Sequence, residues 1–208
     1  MCGICGIVDF GPGRVEKPVI RRMTDSIRHR GPDDEGVFTT DEVGLGHRRL
    51  SIIDLSPTGH QPMVAANGRW TLVYNGELYN FESLRSRLEA DGQRFRGSSD
   101  SEVLLESFAR WGVDALPMLD GMFGFAIWDS QKHELHLARD RFGIKPLYYR
   151  PTPNGIVFGS EIKAILAADP NIPREINHAA LHEHMYFGNA LGTNTLFQGI
   201  ERLEPGHR

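Results

Sequence analysis

The residues with the most to offer chemically stand at the very start, Met1-Cys2-Gly3-Ile4-Cys5-Gly6-Ile7. Trimming of the initiator methionine, usual before a small second residue, would leave Cys2 with its thiol and a free α-amine on one residue. An α-amine titrates near ~7.7–8.0 and a cysteine thiol near ~8.5, so at neutral pH the amine can take the thiol proton without a histidine partner. Such a cysteine is a nucleophile that carries its own base. Retention of Met1 would turn that amine into a non-basic amide.

The same segment reads as C-x-x-C, which a metal clip or a redox pair would also use. Zinc needs two further ligands at matched spacing, there is no third cysteine, and a redox pair expects a helix after its first cysteine. A strand follows instead. Ile4, Val8 and Phe10 fall on one parity and Cys5, Ile7 and Asp9 on the other, so Cys2 and Cys5 face opposite sides, roughly 10 Å apart and beyond disulfide reach. Cys5 is expected to be an ordinary buried cysteine. The chemistry falls to Cys2.

Three further clusters sit at the ends of apolar runs: Arg49-Leu50-Ser51-Ile52-Ile53, Asn75-Gly76-Glu77 and Ser98-Ser99-Asp100-Ser101-Glu102. Singly, each has a plainer reading as a solvated edge, a turn and a helix cap. With a nucleophile at the N-terminus they fit a small amino-acid substrate, Arg49 taking its carboxylate and Asp100 its ammonium. The Asn75 side-chain amide and the Gly76 backbone N–H would be the two donors a tetrahedral oxyanion requires. His178 and His182 are four apart on a predicted helix, but His184 points elsewhere and no acidic or cysteine ligand completes a set, so no metal is expected. Gly11-Pro12-Gly13 lacks the spacing and the lysine-serine pair of a phosphate loop, so this chain itself is not expected to bind ATP.

The elements that must position these groups follow from periodicity. Residues 3–10 alternate as a strand, and Pro18 opens a helix through Val19, Ile20, Met23 and Ile27 that Gly31 ends. Val37-Phe38 and 43–53 read as strands, and Trp70 to Tyr74 is a strand running into a functional loop at Asn75-Gly76-Glu77. Asn80 caps a helix through Leu84 and Leu88 to Gly92, and Asp100 caps another through Leu104 and Phe108 to Gly112. An antiparallel block comes next: 122–128, 135–139, 147–149 and 156–158, the last two joined at Asn154-Gly155. The small and large residues of Met122 to Trp128 alternate as sheet core. Short helices from Glu161 to Ala168 and after Asn177 close the pattern, two sheets sandwiched by helices.

With 208 residues and 40% hydrophobic content, one domain with a sizeable core is the default. A net charge of −4 and no basic run longer than Arg48-Arg49 argue against nucleic acid and against a charged membrane surface. There is no apolar stretch near the roughly 20 residues of a membrane span and no signal peptide, and both cysteines are unpaired, so a cytoplasmic location is expected. The chain stops after Leu203-Glu204-Pro205-Gly206-His207-Arg208 without a closing element, as part of something longer would.

Arg30-Gly31-Pro32-Asp33, Gly46-His47-Arg48-Arg49-Leu50-Ser51-Ile52, Tyr74-Asn75-Gly76-Glu77 and Ser99-Asp100-Ser101-Glu102 join the N-terminal Cys2-Gly3-Ile4 in a combination of high specificity. Together they resemble the glutaminase domain of glutamine-hydrolysing asparagine synthetases, a class II glutamine amidotransferase and N-terminal nucleophile hydrolase. Asp120 to Phe123, Arg139 to Tyr148 and Gly159 to Lys163 are more similar to asparagine synthetases than to sugar-phosphate or purine amidotransferases. The resemblance implies an α+β fold, an αββα four-layer sandwich of two mainly antiparallel sheets flanked by helices. It implies that Cys2 attacks the side-chain amide of glutamine and that water hydrolyses the resulting thioester. By the same resemblance Arg49 holds the substrate carboxylate, Asp100 and Glu77 its amino group, Asn75 and Gly76 the oxyanion, Ile53 contributes backbone contacts and Arg30 is supporting.

Residues 1–190 would be the glutaminase domain and 191–208 the start of a linker to a synthetase domain, the partner in cis. That half would use ATP and magnesium to activate an acid such as aspartate. Its pyrophosphate-binding signature, Ser-Gly-Gly-x-Asp-Ser, is absent here, so only the glutaminase half-reaction, which needs no cofactor, is expected. A homodimer is compatible with the resemblance. The rival readings are an amidohydrolase for other amides, which would share Cys2 and Asn75 without needing both Arg49 and Asp100, and a non-catalytic docking or regulatory module.

Overall fold

The computed structural model describes residues 1–51 and 57–208. Strand β1 (Gly3–Asp9) is followed by helix α1 (Lys17–Ser26), β2 (Asp34–Thr39) and β3 (Val43–Arg49). Next come β4 (Met63–Val64), β5 (Trp70–Leu78), α2 (Phe81–Ala90), α3 (Asp100–Trp111), β6 (Gly121–Asp129) and β7 (Glu134–Arg139). The chain then runs through β8 (Tyr148–Thr152), β9 (Gly155–Gly159), α4 (Ile162–Ala168), α5 (His178–Phe187) and β10 (Glu201–Arg202). One sheet has the order β10-β8-β9-β1-β3-β2 and the other β4-β5-β6-β7. Every pairing between neighbours is antiparallel.

The alternation in β1 separates two apolar interiors. Ile4 and Val8 face the second sheet, where they pack with Val73, Ala126 and Trp128. Cys5 faces the other way, into a cluster with Ile20, Met23 and Ile165 of α1 and α4. Gly44 and Gly46 let α1 lie directly on β3, since a Cβ on either would come within 2.5 Å of the Ile20 or Thr24 side chain. On the far side, Leu88, Leu104 and Phe108 of α2 and α3 cover Leu72, Phe125 and Ile127. Each such large apolar side chain contributes about 1.5–3 kcal/mol when fully buried. The result is four layers, helices on sheet on sheet on helices, as the strand and helix pattern predicts.

Several local expectations change. The first helix stops at Ser26 rather than Gly31, and a 3-10 turn, Arg28–Arg30, takes over. Its short bonds, Ile27 N–H to the Thr24 carbonyl and Arg30 N–H to that of Ile27, keep Ile27 buried while turning Arg30 back towards β1. Asn75-Gly76-Glu77 is not a loop but strand, because β6 pairs with β5 along its whole length, from Trp70 opposite Asp129 to Leu78 opposite Gly121. Helix α3 is capped by Ser99, whose Oγ accepts the Glu102 N–H, so Asp100 is its first residue rather than its cap. Asn80 precedes α2 without a side-chain cap bond. Its amide instead donates to the Met118 carbonyl and accepts the Asp120 N–H, tying α2 to the start of β6. The β8–β9 turn is Pro153-Asn154, one residue earlier than expected, with Thr152 paired to Gly155. In the segment 191–208, β10 pairs with β8 and the Leu203 N–H bonds the Leu147 carbonyl. Among the described residues no helix is long and apolar enough to cross a membrane.

Candidate active site

In the register of β1 on β3, Gly3 lies opposite Arg48, so Cys2 and Arg49 come out at the same end of the sandwich. There a cleft of about 110 Å³ opens, lined by Cys2, Arg49, Asn75, Gly76, Glu77 and Asp100. Six of the eight candidate residues therefore converge from four elements, although 98 positions separate Cys2 from Asp100 in the sequence. Of the other two, Arg30 stands behind the cleft and Ile53 lies outside the described residues.

Cys2 is a half-buried free thiol. The Leu50 N–H donates to its Sγ at 3.3 Å, and the Leu50 carbonyl is 3.6 Å away, in position to accept the thiol proton. Burial pushes the thiol above its ordinary range, opposed by the Leu50 N–H, the amino terminus and Arg49, while the charge of Asp100 adds to the rise. Leu50 makes both contacts through its backbone, so its side-chain type carried no signal of them in the sequence.

Strand β5 supplies the donors. Strand β4 reaches only Thr71 and Leu72 of β5, which leaves that edge of β5 uncovered by any strand of the described residues from Tyr74 onwards. The Tyr74 N–H donates to Gln61 Oε1 at 2.6 Å and the Leu78 N–H to Asp100 Oδ2 at 3.0 Å. Gly76 lies midway between them and its N–H points the same way, since alternate residues of a strand present their N–H to the same edge. Phe123, opposite Gly76, is bonded through both its N–H and its carbonyl to Asp140, so the Gly76–Phe123 pair exchanges no bonds. The Asn75 side chain is buried, and its Nδ2 has no hydrogen-bond partner among the described residues. A buried donor left without an acceptor costs about 1–3 kcal/mol, an arrangement that makes sense when a ligand supplies the acceptor.

Asp100 opens α3, where the helix N-terminus favours a negative charge. Its Oδ2 accepts from Tyr74 Oη at 2.8 Å as well as from the Leu78 N–H. Burial nevertheless pushes its carboxyl up, against those donors, and nearby Glu77 adds to the rise. Such a carboxylate gains most from a cationic partner. Arg49, at the end of β3, is buried and lies against Gly59, where an added Cβ would come within 2.1 Å of Nη2. Arg30 donates from Nε to the Cys2 carbonyl at 2.9 Å and from Nη1 to Glu161 at 3.0 Å. Sequence reasoning missed Gln61, Tyr74 and Lys145, which also line the cleft. Tyr74 and Lys145 fell within segments that carry the resemblance and Gln61 did not, and none is at a spacing that marks it out. His178, His182 and His184 are exposed on α5, and among the described residues no three His, Cys, Asp or Glu side chains gather as metal ligands would.

A family model for the glutamine amidotransferase domain matches residues 1–208. The glutamine-hydrolyzing asparagine synthetase 3 of Bacillus subtilis is 44% identical over 211 residues, covering all of this chain and 34% of its own length. Amidase chry2 of Gibberella zeae is 37% identical over 220 residues, covering all of this chain and 32% of its own. Among solved structures, the glutamine phosphoribosylpyrophosphate amidotransferase of Bacillus subtilis, complexed with ADP and GMP, superposes with a TM-score of 0.67 at 26% identity. That match covers 80% of this chain and 43% of the other. It extends to the N-terminal nucleophile hydrolase architecture of two antiparallel sheets between helices. The chain spans about a third of the length of these curated relatives.

Proposed function

Because this chain belongs to the class II glutamine amidotransferase domain family, we propose that its cleft hydrolyses the side-chain amide of glutamine through a thioester on Cys2. The observation that carries the reading is a nucleophile, an amide donor with no partner among the described residues and an outward backbone N–H sharing one cleft with a guanidinium and a buried carboxylate. With Met1 removed, the α-amine of Cys2 takes the thiol proton and Sγ attacks the amide carbon. The carbonyl oxygen becomes an oxyanion that receives hydrogen bonds from Asn75 Nδ2 and the Gly76 N–H. Collapse of this intermediate breaks the C–N bond, and the nitrogen leaves as ammonia with the proton held by the amine. Water then adds to the thioester carbon, giving up a proton to the amine, and glutamate departs as the thiol re-forms. Arg49 pairs with the substrate carboxylate, and Asp100 and Glu77 with its ammonium. No cofactor enters these steps.

The relatives named asparagine synthetases support a larger setting. The ammonia would serve an ATP- and magnesium-dependent synthetase domain in the same polypeptide, with aspartate the acceptor and asparagine the product, in the cytoplasm. Residues 1–190 would form the body of the glutaminase domain, and 191–208, whose β10 pairs with β8 at the edge of its sheet, would lead on from it.

The test is the intact mass of the purified chain before and after a glutamine-analogue electrophile, with ammonia release from glutamine assayed on the same sample. Loss of Met1, one adduct on Cys2 and release of ammonia are expected. A processed chain that forms no adduct and releases no ammonia would overturn the reading.

A further inference from the structure

The nucleophile sits just outside the end of β1, where a chain terminus ordinarily frays. Two adjacent residues between β9 and α4 counter this. Ser160 accepts the Ile4 N–H on its Oγ at 3.0 Å and returns its own N–H to the Ile4 carbonyl at 2.8 Å. Glu161 reaches residue 2 through an intermediary. Its Oε1 accepts from Arg30 Nη1 at 3.0 Å, and Arg30 Nε donates to the Cys2 carbonyl at 2.9 Å. The Arg30 side chain is only 9% exposed, and its Nη2 is buried with no partner among the described residues. The guanidinium is thus held through Nε and Nη1, and without Glu161 its tie to Cys2 would be the one bond left in this chain of contacts.

We propose that Glu161 is a positioning residue for the Cys2 nucleophile: its carboxylate fixes Arg30, and Arg30 fixes the Cys2 carbonyl and so the backbone torsion that aims Sγ and the α-nitrogen. This rests on the reading of Cys2 as the nucleophile of a glutaminase and adds to it a residue 159 positions away in the sequence. His29 and Lys163 share the same carboxylate, at 2.8 Å and 3.1 Å. Both are about half exposed, so water replaces Glu161 for them at little cost. Buried Arg30 has no such substitute. Neither Arg30 nor Glu161 lines the cleft. Loss of Glu161 therefore acts on the aim of the nucleophile and not on glutamine binding.

The experiment compares wild type with Glu161→Ala, Glu161→Gln, Arg30→Ala and the Glu161→Ala/Arg30→Ala pair, each with removal of Met1 checked by mass. Misplacing a reacting group by an ångström costs on the order of 100-fold. For Glu161→Ala we expect kcat for ammonia release to fall roughly 10- to 100-fold, with KM for glutamine changed less than about twofold. Glu161→Gln keeps the shape and an acceptor for Arg30; it should retain part of the rate, and it keeps the test readable if the alanine variant does not fold. In the Arg30→Ala background, Glu161→Ala should add nothing, because the two act in series. The pH at which iodoacetamide alkylation of Cys2 reaches half its maximal rate should move in Glu161→Ala and not move further in the pair. Additive losses, a raised KM with kcat intact, or a lowered Tm with unchanged kcat and alkylation profile would each overturn the proposal. If wild type releases no ammonia, the glutaminase reading fails by itself. The alkylation profiles then decide the Glu161 assignment: a shift shared with Arg30→Ala upholds it and no shift overturns it.

Discussion

At the scale of single residues, Asn75 separates function from stability most sharply. A buried amide donor without an acceptor among the described residues contributes no bond to the fold they form, so its removal should not weaken that fold. Asn75→Ala is expected to lower kcat for glutamine hydrolysis by about 100- to 1,000-fold, the usual cost of losing one oxyanion donor, while Tm stays level or rises. Ammonia-release kinetics and thermal unfolding on the same preparation check this. A fall in Tm with kcat intact would assign Asn75 to structure alone. That Cys2, Arg49, Asn75 and Asp100 would share one cleft was legible before the fold was known, because they are types whose charges and donors suit a small zwitterionic amide. The contacts of Leu50 with Cys2 were not legible. They are made by backbone atoms, which every non-proline residue possesses.

At the scale of elements, the reading of Asn75-Gly76-Glu77 as a loop failed for an informative reason. Asn-Gly is a strong local turn signal, but nine cross-strand pairs with β6 override it, and the functional edge arises because β4 stops after two residues. Strands as short as β4 and β10 have no measurable period, so the free edge of β5 could not be foreseen. The longer elements were foreseen, since β1, α3 and β6 each carry enough apolar positions to define a face. Packing between elements also governs Arg49. In Gly59→Ala the new methyl would meet the Arg49 guanidinium within 2.1 Å. That group is the tip of a flexible side chain, so the chain yields easily and the fold loses little. We expect KM for glutamine to rise roughly 10-fold or more, the worth of a misaligned charge-assisted bond of about 1.5–3 kcal/mol, with Tm changed by only a few degrees. Steady-state kinetics decide it: an unchanged KM would remove Gly59 from the positioning of Arg49.

At the scale of the whole molecule, the cleft exists only while the two sheets keep their relative placement, for Cys2 and Arg49 come from one sheet and Asn75 and Gly76 from the other. The apolar interior between the sheets is non-directional and cannot by itself fix that placement. A directional tie is the bond between His47 Nε2 on β3 and the Tyr74 carbonyl on β5, 3.1 Å long and fully buried, one residue before Asn75. The carbonyl only accepts, so Nε2 carries a proton, and near pH 7 the ring is otherwise unprotonated and neutral. Burial holds it so, pushing its pKa from 6.5 down to about 4. A base whose folded value is depressed contributes stability above its unfolded value and loses it as the pH falls towards the folded one. The stability of this protein should therefore decline between about pH 6.5 and about pH 4 through His47. Glu161, pulled down to about 2 from 4.5, acts in a lower window. Asp100, pushed up by burial, acts in the opposite sense. His47→Gln can still offer an N–H to Tyr74 but does not titrate. Its Tm at pH 7 should fall by a few degrees, and its slope of Tm against pH from 6.5 to 4 should flatten, leaving the part due to half-buried His136, which burial also pushes down. Thermal melts of both proteins across that range measure the difference. A variant as steep as wild type would mean that the tie between the sheets does not depend on the charge state of His47, and that the acid sensitivity of the cleft must come from groups on one sheet alone.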